Sequence, residues 1–150
     1  TPIASCFFVV QKEVAERYVA VPGSKNYGAI SVYLQYRFQL KKAFFIPKNC
    51  FFPKPDVESA AISLFPYPVP PVKVLDEELF FSLIRTAFSQ RRKMILNSIE
   101  RIKLFEEKQD TISKALEIAH ISPTERPEKI SLEFFAALTN ALSVIGGEKH

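Results

Sequence analysis

The chain opens on an unbroken apolar run, Cys6-Phe7-Phe8-Val9-Val10, that stops at polar Gln11 and Lys12. A run this short and rich in β-formers reads as a strand covered on both faces, and so as a central strand of a larger sheet. From Lys12 to Ala20 the period changes: Val14, Ala15 and Tyr18 recur at helical spacing until Pro22-Gly23 stops them. Strand followed directly by helix indicates an α/β layer. The spacing predicts a second helix over 28–37, with Ile30, Tyr33, Leu34 and Arg37 along one side. Two alternating segments come next, 38–46 with Phe38, Leu40, Phe44 and Ile46 on one face, and 57–65; they are expected to pair antiparallel.

The connection between those two strands, Cys50 to Ser59, holds adjacent aromatics Phe51 and Phe52, then Pro53-Lys54-Pro55. Two prolines fix φ and remove donors, so this is a stiff loop carrying rings. A buried loop would strand its polar backbone, which puts this one at the surface. There the rings either turn back into the core, as Phe usually does, or are presented to a partner.

Pro66-Tyr67-Pro68-Val69-Pro70-Pro71 blocks helix and sheet alike, and residues 66–75 read as an extended linker between a sheet-bearing part, 1–65, and a helical part, 76–150. A proline-rich ligand for a partner domain is the other reading of that stretch. In the helical part Asp76 is a good N-cap, and Leu79, Phe80, Leu83, Ile84, Ala87 and Phe88 build a broad apolar face. If that helix continued, Arg91 would fall inside the face, where an unpaired charge costs several kcal/mol. A break is therefore expected near Ser89, with Ser89 capping a new helix through Met94, Ile95 and Ile99, so that Arg91, Arg92 and Lys93 project from a helix start. Further helices are predicted over 110–119 and from Ser131 to Gly146-Gly147, with His120 as a C-cap of the former.

Composition adds little until charge is placed along the chain. Lys and Arg exceed Asp and Glu by eight to four in residues 1–65, while residues 66–150 hold twelve of each, so the whole net charge of +4 sits in the part with the aromatic loop. A polyanion is the natural partner of such an excess, although a solvated lysine face has the same composition. No apolar run approaches the roughly 18 to 20 residues of a membrane span, and no signal-peptide pattern opens the chain, so a cytoplasmic protein that does not engage membrane is expected. Cys6 and Cys50 have no metal or disulfide spacing, and with only His120 and His150 present neither a zinc site nor a histidine triad is expected. A two-sided strand that starts so near Thr1 lacks a flanking partner, which predicts that residues 1–65 are the second half of a sheet.

Several stretches then fall into one register: Gln11-Lys12-Glu13-Val14-Ala15-Glu16-Arg17, Pro22-Gly23-Ser24-Lys25-Asn26-Tyr27-Gly28, Ser31-Val32, Phe51-Phe52-Pro53-Lys54-Pro55-Asp56-Val57-Glu58-Ser59-Ala60 and Ala87-Phe88-Ser89-Gln90-Arg91-Arg92-Lys93. Together with Ile121-Ser122-Pro123 and Arg126-Pro127-Glu128, they resemble the bacterial small-subunit ribosomal RNA adenine N6,N6-dimethyltransferases, the dimethyladenosine transferases, over nearly the whole chain. His120 in place of a usual Gly and Phe134 in place of an acidic residue depart from that pattern at helix ends.

The resemblance implies an α/β fold: the C-terminal part of a Rossmann-like methyltransferase sheet, made of a strand, helices and an antiparallel edge hairpin, followed by a small all-α domain. It implies an S-adenosylmethionine-dependent enzyme that dimethylates two adjacent adenosines near the 3′ end of small-subunit rRNA, acting as a monomer on the immature subunit in ribosome biogenesis. The cofactor loop and the Asn-Leu-Pro-Tyr motif of the family have no counterpart here, so this half alone is expected to be inactive, with no catalytic, cofactor or metal residue of its own. Phe51 matches the family's base-stacking aromatic, and Phe52 beside it joins it as a stacking candidate. Lys48, Lys54, Arg85, Arg91, Arg92 and Lys93 are the RNA-binding candidates, the Arg91–Lys93 segment either touching RNA backbone or pairing between domains. A non-catalytic relative that binds RNA or DNA, or assists ribosome assembly, is the alternative.

Overall fold

The computed structural model describes residues 3–90 and 92–147, which divide into two compact units, 1–71 and 72–150. The first runs β1 (Cys6–Gln11), α1 (Lys12–Tyr18), α2 (Ala29–Arg37), β2 (Phe38–Ile46) and β3 (Ser59–Pro66). Its sheet has the order β1-β3-β2, with both pairings antiparallel. This is the mixed strand-and-helix layer that the sequence predicts, with a helical unit after it.

Of the three described strands β3 is the middle one. Among the described residues β1 pairs on one side only, and Phe7, Phe8 and Val9 are exposed. The place covered on both faces belongs to β3, where Ala60, Ala61 and Ile62 are fully buried. The open side and exposed apolar residues of β1 are what the sequence reading of a strand without its flanking partner expects.

The register of β2 also differs from the even alternation expected. Lys42 lies opposite Ile62 and Phe44 opposite Ala61, so Ala43 is an extra residue in a β-bulge. One inserted residue inverts the facing of everything after it. Phe38 and Leu40 join the core formed by Ala15, Ala60, Ile62 and Leu64, whereas Phe44 and Ile46 share the opposite face with Ala61 and Ser59. Phe44 meets Phe7 there across 6.4 Å between ring centroids.

In α2 the buried positions are Ser31, Val32 and Tyr36, while Ile30 is exposed, so the expected stripe does not set the helix orientation. Polar docking onto the end of α1 sets it instead. Ser31 Oγ donates to the Arg17 carbonyl and accepts from Gly28 N–H, and Gln35 Nε2 donates to the carbonyls of Tyr18 (3.2 Å) and Ala20 (2.8 Å). These bonds satisfy carbonyls left free where α1 ends; of the expected stripe, Leu34 still packs on the sheet core.

The second unit contains α3 (Glu77–Ser89), α4 (Ile95–Ile99), α5 (Gln109–Ile118) and α6 (Leu132–Gly147). Asp76 caps α3 by accepting from Leu79 N–H at 2.9 Å, and Ser131 Oγ accepts from Phe134 N–H at the start of α6. Leu83, Ile84, Phe105, Ile112, Leu116, Phe135 and Leu138 are fully buried. His120 has φ +56° and closes α5: Ile121 N–H reaches the Leu116 carbonyl and His120 N–H that of Glu117, the bond pair of a Schellman cap. At the other boundary of the unit, Asn140 accepts from Leu75 N–H and donates to the Lys73 carbonyl, so residues 73–75 are tied to α6.

The chain breaks at Ser89 as expected, but Ser89 does not cap a new helix. Its hydroxyl donates back to the Thr86 carbonyl, and α4 starts only at Ile95, after Met94, with no side-chain cap. Arg92 and Lys93 therefore sit in the turn between helices and not at a helix start; Ser89 is the last residue of α3, and the first N–H groups of α4 lie several residues beyond it. Arg91 lies outside the described residues.

Candidate nucleic-acid interface

The aromatic loop is built from both ends of the β2–β3 hairpin. Ile46 and Ser59 face each other at its base, Lys48–Cys50 form a 3-10 turn closed by Cys50 N–H on the Pro47 carbonyl, and Phe51 N–H bonds the Lys48 carbonyl. The Phe52–Pro53 peptide is cis. On the return side Glu58 is held twice by Lys12, through Lys12 N–H on its carbonyl at 2.9 Å and through an ion pair of 3.2 Å between Lys12 Nζ and Glu58 Oε2. Loop and first helix are thus fastened together at the edge of the sheet.

Of the two readings of the rings, the structure divides the outcome. Phe51 is half-buried, while Phe52 is 102% exposed, the full surface of the residue. Lys48 and Lys54 are exposed on the same loop, so four of the candidate residues are brought into one segment. The other candidates lie in the helical unit. Arg85 is exposed on α3, and Arg92 and Lys93, with Ser89 and Gln90, line a cavity of about 360 Å³ beyond its end.

A further group was not singled out by sequence reasoning. Phe45 carries two ammonium groups over its ring, Lys42 Nζ at 3.9 Å and Lys12 Nζ at 5.0 Å from the centroid. The doublets Lys41-Lys42 and Phe44-Phe45, which interrupt the alternation of β2, were the available signal. Cys6 and Cys50 are free thiols, no cluster of metal-ligating side chains occurs among the described residues, and no helix of the described residues is long and apolar enough to cross a membrane.

What this arrangement offers is a stiff loop with an exposed aromatic face and flanking cations, suited to stacking on a base while neutralising phosphates. The four glycines are 23, 28, 146 and 147, none of them in a loop between a strand and the helix it leads into.

The family model for ribosomal RNA adenine dimethylase matches residues 1–142. The chain is 41% identical over 142 residues to a ribosomal RNA small subunit methyltransferase A of Geobacillus sp. (strain WCH70), covering 94% of this chain and 49% of that protein. It is 40% identical over 142 residues to the protein of the same name from Lysinibacillus sphaericus, covering 94% and 48%. The chain thus spans about half the length of the curated relatives it matches. Among solved structures, a dimethyladenosine transferase from Plasmodium falciparum superposes with a TM-score of 0.72 at 18% identity, over 95% of this chain and 58% of that one. The 23S rRNA methyltransferase ErmE superposes with 0.64 at 20% identity, over 93% and 55%. At those identities the superpositions speak for the fold, and the family model and curated relatives for kinship: the chain belongs to the ribosomal RNA adenine dimethylase family.

Proposed function

We propose that this chain is the C-terminal, substrate-side half of an S-adenosylmethionine-dependent rRNA adenine N6-dimethyltransferase acting on adjacent adenosines near the 3′ end of small-subunit rRNA. The observation that carries the reading is the loop from Pro47 to Glu58, fixed at both ends, with Phe51 and Phe52 flanked by Lys48 and Lys54. An exocyclic adenine nitrogen is out of reach within a stacked strand, so the base has to be extruded, at a cost of a few kcal/mol. Stacking on an aromatic face returns about 1 to 3 kcal/mol of that. Phe51 is the ring assigned to the target base, half-buried and therefore restrained; Phe52 adds a second stacking face at the loop tip. Lys48 and Lys54 neutralise phosphates beside the extruded nucleotide, and Arg85, Arg92 and Lys93, with Arg91, take RNA backbone on the helical unit.

The residues of this chain do not fit S-adenosylmethionine, for want of a cradle, so its binding is assigned to the half of the relatives that this chain does not span. By itself the chain is inactive in this reading. The complete polypeptide, in the cytoplasm and as a monomer, engages the immature small subunit and needs no protein nucleophile. Its task is position and electrostatics around an attacking amine.

The test is transfer of labelled methyl groups by the complete polypeptide to undermethylated small subunits. Dimethylation of two adjacent adenosines is expected. Tight RNA binding without transfer would replace the enzyme by a non-catalytic RNA-binding relative.

A further inference from the structure

The geometry points to a second RNA contact in the first unit: the Lys12–Phe45–Lys42 cluster at the base of the aromatic loop docks the sugar-phosphate backbone of the strand that leads to the extruded base. This rests on the reading of the chain as the RNA-docking half of the enzyme, and extends it to residues outside the loop.

The cluster is made by the bulge at Ala43. In a regular strand Lys42 and Phe45, three residues apart, would point to opposite faces. The inserted residue puts both on one face, opposite Ile62 and Ala60, and brings Lys42 Nζ to 3.9 Å from the ring centroid. Bulges recur where a side chain is re-aimed beside a functional site. Lys12 enters from the start of α1 and approaches the same ring at 5.0 Å.

Charge decides the kind of partner. Two ammonium groups over one ring repel each other, and Glu58 pairs with Lys12 at 3.2 Å. Among the described residues no carboxylate pairs with Lys42, which is exposed, and Phe45 is 47% exposed beneath it. A cation held in place over an exposed ring, with its charge uncompensated, suits a phosphate, with the ring edge against the sugar. The location adds to this. Phe45 is two residues before Pro47, where the loop starts, and Glu58 is the last loop residue before β3, so a backbone crossing the cluster runs on into the loop.

The experiment measures RNA affinity against salt for the complete polypeptide and its Lys42→Gln, Lys42→Arg and Phe51→Ala variants, with thermal unfolding in parallel. One lost phosphate contact lowers the slope of log K against log salt by about 0.7 to 0.9, or about threefold less loss of affinity between roughly 50 and 200 mM. The expected result is that drop for Lys42→Gln, its absence in Lys42→Arg, and unfolding temperatures unchanged in both. An unchanged slope overturns the inference, and an unchanged slope with a lowered unfolding temperature assigns the cluster to contact with another part of the protein. If Phe51→Ala abolishes methylation while Lys42→Gln keeps the full slope, this inference alone falls. If Phe51→Ala methylates normally while Lys42→Gln lowers the slope, the base-stacking reading falls and the phosphate contact stands.

Discussion

Phe51 and Phe52, neighbours in the chain, part company in the fold: the first ring is half-buried, the second stands wholly in solvent. The pair thus separates two demands on a base-stacking loop. A ring that must hold one base in one orientation gains from contacts that restrain it; a ring that only broadens the surface does not need them.

The difference is measurable as stability. Phe52→Ala should leave the unfolding midpoint within about 0.5 kcal/mol of the parent, as expected for a surface substitution. Phe51→Ala should cost more, because it removes buried apolar area at about 25 cal/mol per Å². Urea denaturation of both variants checks the order.

The sheet's stability should concentrate in β3. Ile62 is fully buried on the face that packs against Ala15, Leu64 and Leu40. Ile62→Ala is expected to cost about 2 to 5 kcal/mol and Ile62→Val about 0.5 to 1.5. The same truncation at Val9 of β1, which is 50% exposed, should cost clearly less. Denaturant midpoints of the three variants test this ranking.

The α3 cap makes a smaller, sharper case. Asp76→Ala removes the acceptor for Leu79 N–H and should destabilise by about 1 kcal/mol, whereas Asp76→Asn should keep most of that. Thermal unfolding distinguishes them.

His120 occupies a left-handed conformation at φ +56°. Left-handed geometry costs a residue with a Cβ about 1 to 2 kcal/mol, and glycine escapes it at the expense of a more flexible unfolded chain. His120→Gly should therefore raise stability by a few tenths to about 1 kcal/mol, and His120→Val should lower it. A loss of stability in the glycine variant would mean that the imidazole contributes more than a helix end.

Much of the fold was legible in the sequence because its signals were local. Asp76 before an apolar 3.6 period, His120 after one, and Pro22-Gly23 behind a third each mark a helix boundary through backbone chemistry that acts within a few residues. The hairpin and its stiff loop were legible for the same reason. What escaped was set by distant pairing. The bulge at Ala43 depends on register with β3, and the buried face of α2 depends on carbonyls at the end of α1 reached by Ser31 and Gln35. Ser89 misled because a serine after an apolar run can close the old helix as well as open a new one, and here it is the last residue of α3, with α4 starting only at Ile95. In the candidate site Phe51, Phe52, Lys48 and Lys54 were visible as one loop, but the Lys42–Phe45 pairing was not, since it exists only on the far side of the bulge.

The most direct measurement compares single-turnover methylation by the complete polypeptide with that by its Phe51→Ala variant, alongside RNA affinity for each. If Phe51 stacks on the target adenine, the variant should lose about 1 to 3 kcal/mol of stabilisation in the methylating complex, roughly 5- to 150-fold in rate, with a much smaller change in affinity. Equal methylation rates for variant and parent would contradict the account.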